Sequence, residues 1–326
     1  MKSSMENSSN PDLSIVISLF NEEESLPELV QWIDSVLTPK GFTFEIIMVD
    51  DGSTDGSWRV INTLKGQYDM IRAIRFRRNY GKSAALYCGF EAACGEIVVT
   101  MDADLQDNPE EIPEMVRMIR EDGYDLVSGW KKKRYDNVAT KNLPSKLYNA
   151  TARKVTGIKL HDMNCGLKAY RKEVVKHIEV YGEMHRFIPY LAKNAGFGNI
   201  GEKVVLHQAR KYGKSKFGLD RFIHGFLDLL SIWFLQKFGK KPMYLFGGGG
   251  TLMFLAGIVI TIWLIVKKLV AQANGHIFRA VTDQPLFYLA LLAVIIGVQL
   301  FLTGFLAELV SRNSQDRNKY NIRERI

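Results

Sequence analysis

Short apolar runs alternate with stretches whose apolar residues recur every three or four positions over the first 130 residues. Runs at 13–19, 45–49, 71–76, 97–101 and 125–128 suit buried strands. Segments at about 25–37, 56–65, 82–93 and 109–121 follow helical spacing. Strand and helix alternating at this interval predict an α/β domain, a mainly parallel sheet with helices on both faces. In such sheets ligands sit beyond the carboxyl ends of the strands, so the residues following each strand are the ones to read.

The pattern changes after residue 216. Positions 217–241 carry Phe222, Ile223, Phe226, Leu227, Leu230, Trp233, Phe234 and Phe238 at helical spacing with basic ends, which predicts an interfacial amphipathic helix. Residues 243–266 then contain no formal charge, and neither do residues 286–307. At 1.5 Å per residue these runs reach about 36 and 33 Å, enough to cross a hydrocarbon core of about 30 Å. Transmembrane helices are therefore expected at 243–266 and 286–309. Gly247, Gly248, Gly249, Gly250 and Gly257 permit close helix packing. Lys237, Lys240 and Lys241 precede the first span, and Arg312, Arg317, Lys319, Arg323 and Arg325 follow the second. The connection between them carries only Lys267, Lys268 and Arg279, so the positive-inside rule puts both termini in the cytoplasm. Residues 310–326 read as a cytoplasmic basic tail, and polar residues 1–12 as a disordered start without a signal-peptide core.

Composition sharpens this organisation. The 326 residues carry a net charge of +8 and a mean hydropathy of −0.07, values of an ordinary globular protein. Both are averages of unlike parts. Residues 1–130 hold 11 Lys and Arg against 23 Asp and Glu, so the remainder is strongly basic, as a surface facing anionic lipid would be. Cys88, Cys94 and Cys165 make no Cys-x-x-Cys pair and too few links for a disulfide framework, which suits a reduced, cytosol-facing chain. The six histidines show no zinc-ligand spacing.

Chemistry concentrates after the strands. Asn21 and Glu22 follow the first run, Asp50, Asp51 and Ser53 the second, Asn79 and Lys82 the third, and Asp102, Asp104 and Gln106 the fourth. Neither a G-x-G-x-x-G nor a Walker sequence is present, which excludes the usual dinucleotide and P-loop readings. Asp102 and Asp104, one residue apart after a strand, point to the same side. Two like charges there call for a hard cation, Mg2+ or Mn2+. The run Lys131, Lys132, Lys133, Arg134, Lys141 and Lys146, with the single acid Asp136, suits an anionic membrane surface, and the acidic, metal-framing neighbourhood argues against nucleic acid.

These stretches, with Asp162-Met163-Asn164-Cys165-Gly166-Leu167-Lys168 and Arg210-Lys211-Tyr212-Gly213-Lys214-Ser215-Lys216, together resemble the family-2 inverting glycosyltransferases of GT-A fold. The likeness is strongest to the polyprenyl-phosphate branch, which contains dolichyl-phosphate mannose synthase and the bactoprenol-phosphate glucosyltransferases. It runs in order from about residue 13 to 220, giving a GT-A domain at 13–216. The resemblance implies that a nucleotide-sugar, UDP-glucose-like or GDP-mannose-like, is held by Asn21, Glu22, Asp50, Asp51, Ser53, Asn79, Lys82, Asp102, Asp104 and Arg210. It implies metal ligation by Asp102, Asp104 and Gln106, and catalytic roles for Asp104 and Asp162. Lys131, Arg134, Lys141 and Ser145 would meet the acceptor phosphate, and Ser215 and Lys216 would close a loop over the diphosphate. The acceptor would be undecaprenyl phosphate, and the product a lipid-phosphate sugar for cell-envelope glycan modification at the cytoplasmic membrane. A separate flippase and a homo-oligomer are the further partners it leaves open. Two departures stand out: Ser18 or Leu19 stands where a proline is usual before Asn-Glu, and Lys141 replaces an arginine of some relatives. Processive polysaccharide synthases share the acidic motifs, but their Gln-x-x-Arg-Trp motif is missing here. A non-catalytic nucleotide-sugar-binding module would be expected to have lost Asp102 or Asp104.

Overall fold

In the computed structural model, residues 10–132, 153, 156–209, 211–212, 243–275, 279–313 and 320–326 are described. The chain divides into two units, Met1–Leu229 with Asn318–Ile326, and Leu230–Arg317. The expected interfacial helix at 217–241 lies outside the described residues.

The first unit is built on an eight-stranded sheet. Its strands are β1 (Leu13–Leu19), β2 (Phe44–Asp50), β3 (Ile71–Phe76), β4 (Ile97–Asp102), β5 (Leu126–Trp130), β6 (Lys168–Arg171), β7 (Ile200–Val204) and β8 (Ile322–Arg325), in the order β7-β5-β6-β4-β1-β2-β3-β8. The helices are α1 (Leu26–Leu37), α2 (Ser57–Gln67), α3 (Lys82–Ala92), α4 (Ile112–Arg120), α5 (Lys172–His177) and α6 (Ile188–Asn194). Strands β4, β1, β2 and β3 are mutually parallel. The mostly apolar, buried runs of β1, β2 and β4 are what a sheet covered on both faces requires, whereas β3 sets Arg72 and Arg75 among its apolar residues. Leu13, Ile15, Ile17 and Leu19 bury into one core with α1 and α4, while Val16 enters the other core with α3. Helix α1 buries Leu26, Leu29, Val30, Ile33 and Leu37, an apolar stripe at helical spacing.

Two features set the site. In register, Leu19 lies opposite Asp50 and Ser18 opposite Asp102, so the ends of β1, β2 and β4 come level. Strand β6 runs antiparallel between β4 and β5. Its beginning therefore lies at the same edge as the ends of the parallel strands, and the preceding segment around Asp162 arrives there.

Both ends of this unit differ from the sequence reading. Asp12, expected in a disordered start, accepts hydrogen bonds from Thr43 N and Oγ1 at 3.0 and 2.7 Å and pairs with Arg120 at 2.8 Å. Residues 322–325, expected in a cytoplasmic basic tail, form β8 against β3, so the sheet takes its last strand from beyond the second long apolar run.

The second unit contains α7 (Met243–Ala273) and α8 (Pro285–Asn313), both long and apolar enough to cross a membrane. They pack through small residues in antiparallel order. A Cβ on Gly250 would lie 2.5 Å from Gly297 O, and one on Gly257 would lie 2.6 Å from Ala290 O. Within lipid, which offers no hydrophobic drive between helices, such close backbone approach would supply the association.

Candidate active site

The turns after β1 and β2 are latched to each other. Asn21, at φ 56°, donates its N–H to Ser53 Oγ at 2.9 Å and accepts from Thr54 N at 2.8 Å. Glu22 N donates to Ser57 Oγ at 3.0 Å, and Glu23 accepts from Gly56 N at 2.8 Å. Asn21, Glu22, Glu23, Glu24, Asp55 and Tyr212 line a small acidic pocket.

Asp50 and Asp51 do different work. Asp50, expected on the donor, is fully buried, accepts from Ser53 N at 2.8 Å and lies 3.4 Å from Arg75 Nε. It braces the turn from within the sheet. Asp51 accepts from Tyr80 N at 2.6 Å and Gly81 N at 2.9 Å, so it anchors the loop carrying Asn79 to the start of α3. Asn79 itself is exposed.

Burial pushes the Asp51 carboxyl up to about 6, with Asp50 adding to the rise and the two loop N–H groups opposing it. In the folded protein Asp51 therefore stays protonated in a window, roughly pH 4 to 6, where the unfolded chain is ionised. The sign follows: its contribution to stability falls as pH rises through that window, while the carboxylate that best accepts both N–H groups exists above it. Affinity for a nucleoside diphosphate should drop as pH falls through about 6. Calorimetric titration across pH 5–8 should show this step in the parent protein and not in Asp51→Asn; a step of equal size in both would contradict the assignment. The comparison cancels the ligand's own titration.

At the end of β4, Asp102, Asp104 and Gln106 are partly exposed while Ala103, Leu105 and Asp107 are buried. Lys82 forms an ion pair with Asp102. Burial alone would raise the Asp102 carboxyl, but Lys82 and then Lys131 outweigh it and hold it down at about 2. Asp104 Oδ1 accepts from Gln106 N at 3.2 Å. Lys82, expected on phosphate or sugar, thus neutralises half of the acidic pair. The like-charge problem read from the sequence is met in part by a lysine.

Lys131, expected at the acceptor, is turned inward to Asp107 at 2.8 Å, with only 12% of its side chain exposed. Asp107 in turn accepts from Asp102 N at 3.1 Å. Asp162 is buried, and its Oδ1 accepts from Asn164 N at 3.2 Å. Arg134, Lys141, Ser145, Arg210, Ser215 and Lys216 lie outside the described residues. The residues flanking Arg210 do reach the site: Gln208 N donates to Gln106 O at 3.1 Å, and Tyr212 lines the acidic pocket.

Three groups beneath the site were not assigned from sequence. Asp107 carries no periodic signal, because a turn through Leu105 at φ 60° precedes it. Lys168 is buried in β6 and donates to Cys165 O; burial lowers its pKa. A lysine inside a four-residue strand breaks the apolar pattern by which strands are recognised. His185 donates its N–H to Ser83 Oγ at 3.0 Å, tying residues 184–187 to the first turn of α3.

Asp102 and Asp104 suit a hard divalent cation in chemistry: with the Gln106 amide they offer oxygen donors alone. Space beside Asp102 is kept by Gly166, whose Cβ would fall 2.6 Å from Asp102 Oδ2. No group of three or more His, Cys, Asp or Glu among the described residues could hold a metal unaided. A cation here therefore needs further oxygens from ligand or water.

The glycosyl transferase family 2 model matches residues 14–179, the span that supplies β1 to β6 and every carboxylate just described. The chain belongs to that family. This glycosyltransferase is 35% identical over 305 residues to dodecaprenyl-phosphate galacturonate synthase of Rhizobium johnstonii, covering 92% of this chain and 88% of the relative. It is 36% identical over 307 residues to undecaprenyl-phosphate 4-deoxy-4-formamido-L-arabinose transferase of Pseudomonas aeruginosa, covering 93% and 86%. Its structure also resembles glucosyl-3-phosphoglycerate synthase of Mycobacterium tuberculosis, solved with Mn2+, uridine diphosphate and glucosyl-3-phosphoglycerate. The TM-score there is 0.52 at 21% identity, over 69% of this chain and 79% of that one, which establishes the shared GT-A architecture.

Proposed function

We propose that this glycosyltransferase moves a sugar from a nucleotide diphosphate to a polyprenyl phosphate at the cytoplasmic face of a membrane. The observation that carries the reading is the length of the match. Enzymes named for dodecaprenyl- and undecaprenyl-phosphate acceptors align over 92–93% of the chain, too much to leave out both apolar helices. The basic flanks of those helices support the cytoplasmic orientation.

The acidic pocket beside Asn21 suits hydroxyl and amide donors of ribose or base, since carboxylates accept hydrogen bonds and repel phosphate. The diphosphate then belongs near Lys82 at the end of β4, where a divalent cation would stand between it and the carboxylates of Asp102 and Asp104. Mg2+ or Mn2+ held by Asp102, Asp104 and Gln106 would supply Lewis-acid stabilisation of the leaving diphosphate. An acceptor phosphate oxygen attacks the anomeric carbon, the bond to the diphosphate breaks with inversion, and the nucleoside diphosphate leaves with the bonding electrons. A phosphate monoester has a second pKa near 6, so it arrives already ionised and needs little from a general base. Asp162 is then an orienting residue for acceptor or sugar.

The test supplies membranes containing the enzyme with undecaprenyl phosphate and a panel of labelled donors. The panel is UDP-glucose, GDP-mannose and nucleotide-linked galacturonate and 4-deoxy-4-formamido-L-arabinose. Label should pass, in a metal-dependent way, to an organic-extractable lipid labile to mild acid. No lipid product from any donor, or product formed equally well by Asp104→Ala, would overturn the reading.

A further inference from the structure

Strand β8 does more than cover an edge. It pairs with β3 through Ile74–Arg325, Arg75–Glu324 and Phe76–Ile322, and the register shifts between Arg75 and Phe76, where β3 leads into the site loop. Ala73 and Ile326 exchange both backbone hydrogen bonds at 2.9 and 3.0 Å, and Trp58 Nε1 donates to Glu324 at 3.1 Å. Just before β8, Arg77 N donates to Asn321 O at 3.1 Å. The Tyr320 ring lies 5.8 Å from Phe76, 5.5 Å from Tyr80 and 6.3 Å from Tyr87, ring centre to ring centre. Arg78 lies over the other neighbour in this stack, 4.4 Å from the centre of the Tyr80 ring.

The loop 77–81 is therefore gripped from two directions. Asp51 takes its N–H groups at Tyr80 and Gly81, and Tyr320 with Asn321 holds the ring of Tyr80 and the backbone of Arg77. That loop presents Asn79 and ends at Lys82, the partner of Asp102. We propose that Tyr320 is a positioning residue of the donor site: residues that follow the second span return to set the 77–82 loop for the nucleotide-sugar. This rests on the donor reading above. It predicts a site assembled from both ends of the chain, so that an isolated fragment ending before the spans would hold donor poorly even when folded.

An edge-protecting strand alone would change global stability and leave donor affinity in proportion to folded protein. A positioning residue changes donor KM in protein that remains folded. Tyr320→Ala in the full-length enzyme should raise donor KM about tenfold, the scale of losing two or three aromatic contacts, with kcat and acceptor KM within about threefold. Tyr320→Phe keeps the ring and should restore donor KM. Hydrogen exchange supplies a readout independent of activity: the amides of Tyr80 and Gly81 should exchange faster in Tyr320→Ala than in Tyr320→Phe, while amides of β1 are unchanged. Unchanged exchange at Tyr80 and Gly81 would overturn the proposal, as would a donor KM that stays at the parent value. If the parent enzyme transfers no sugar from any donor, the function reading fails instead, and the exchange experiment still decides the role of Tyr320.

Discussion

Asp104→Ala should remove at least about a thousandfold of kcat/KM, roughly 4 kcal/mol of transition-state stabilisation, while the thermal midpoint barely moves. Asp104 is partly exposed at the end of β4, so its loss leaves no deeply buried charge behind. Asp102 is different: its carboxylate is the partner of Lys82, and its removal would disturb that lysine together with any effect on catalysis. Asp104 is therefore the cleaner probe of whether oxygen ligands at this edge carry the chemistry. Asp162→Asn supplies the contrast. Because the acceptor phosphate is already ionised near neutral pH, this variant should lose only about tenfold to a hundredfold. Equal losses in the two variants, measured as label transferred to lipid, would make Asp162 an obligatory base and refute the orienting role.

Gly52→Ala should be the most damaging single-methyl change in the catalytic unit. Gly52 has φ 74°, and a Cβ there would lie 2.5 Å from Arg78 C and 2.8 Å from Asn79 N. Both are backbone atoms, so no side chain can rotate away. Either the turn after β2 or the loop after β3 must move, and Asp51 would lose its grip on Tyr80 and Gly81. Gly41 provides the control, since it has φ 76° with nothing within 4 Å of its Cβ position. Gly41→Ala should cost about 1 kcal/mol, the strain of the left-handed conformation alone. Gly52→Ala adds the collision and should cost about 3 kcal/mol or more, together with a loss of nucleotide affinity. Thermal unfolding of both variants, with nucleoside diphosphate titration of the folded fraction, checks this. Similar midpoints for the two would show that the loops yield easily.

Strand β1 coincides with its apolar run to the residue, because it is central in a sheet covered on both faces. Such strands announce themselves by continuous apolar sequence. Strand β6 was not legible: it has four residues and places Lys168 and Arg171 in a run otherwise too short to stand out. Strand β8, Ile-Arg-Glu-Arg, reads as a solvated charged tail. Its pairing depends on the open edge of β3, which lies some 250 residues earlier in the chain.

The sequence by itself determined the alternating α/β plan, the two membrane-length helices, and the set of carboxylates after β1, β2 and β4. Each follows from local spacing, which the chain carries wherever it folds. Only the tertiary structure divided the labour among those residues. Asp50 became a buried brace, Asp51 an anchor for a loop, and Lys82 and Lys131 counter-ions to Asp102 and Asp107. It also brought Asp162 to the site through the reversed direction of β6, and residues 320–325 to the edge of β3. These depend on which groups become neighbours once water is excluded. A charge buried between strands must find its partner there, and spacing along the chain does not say which one it meets.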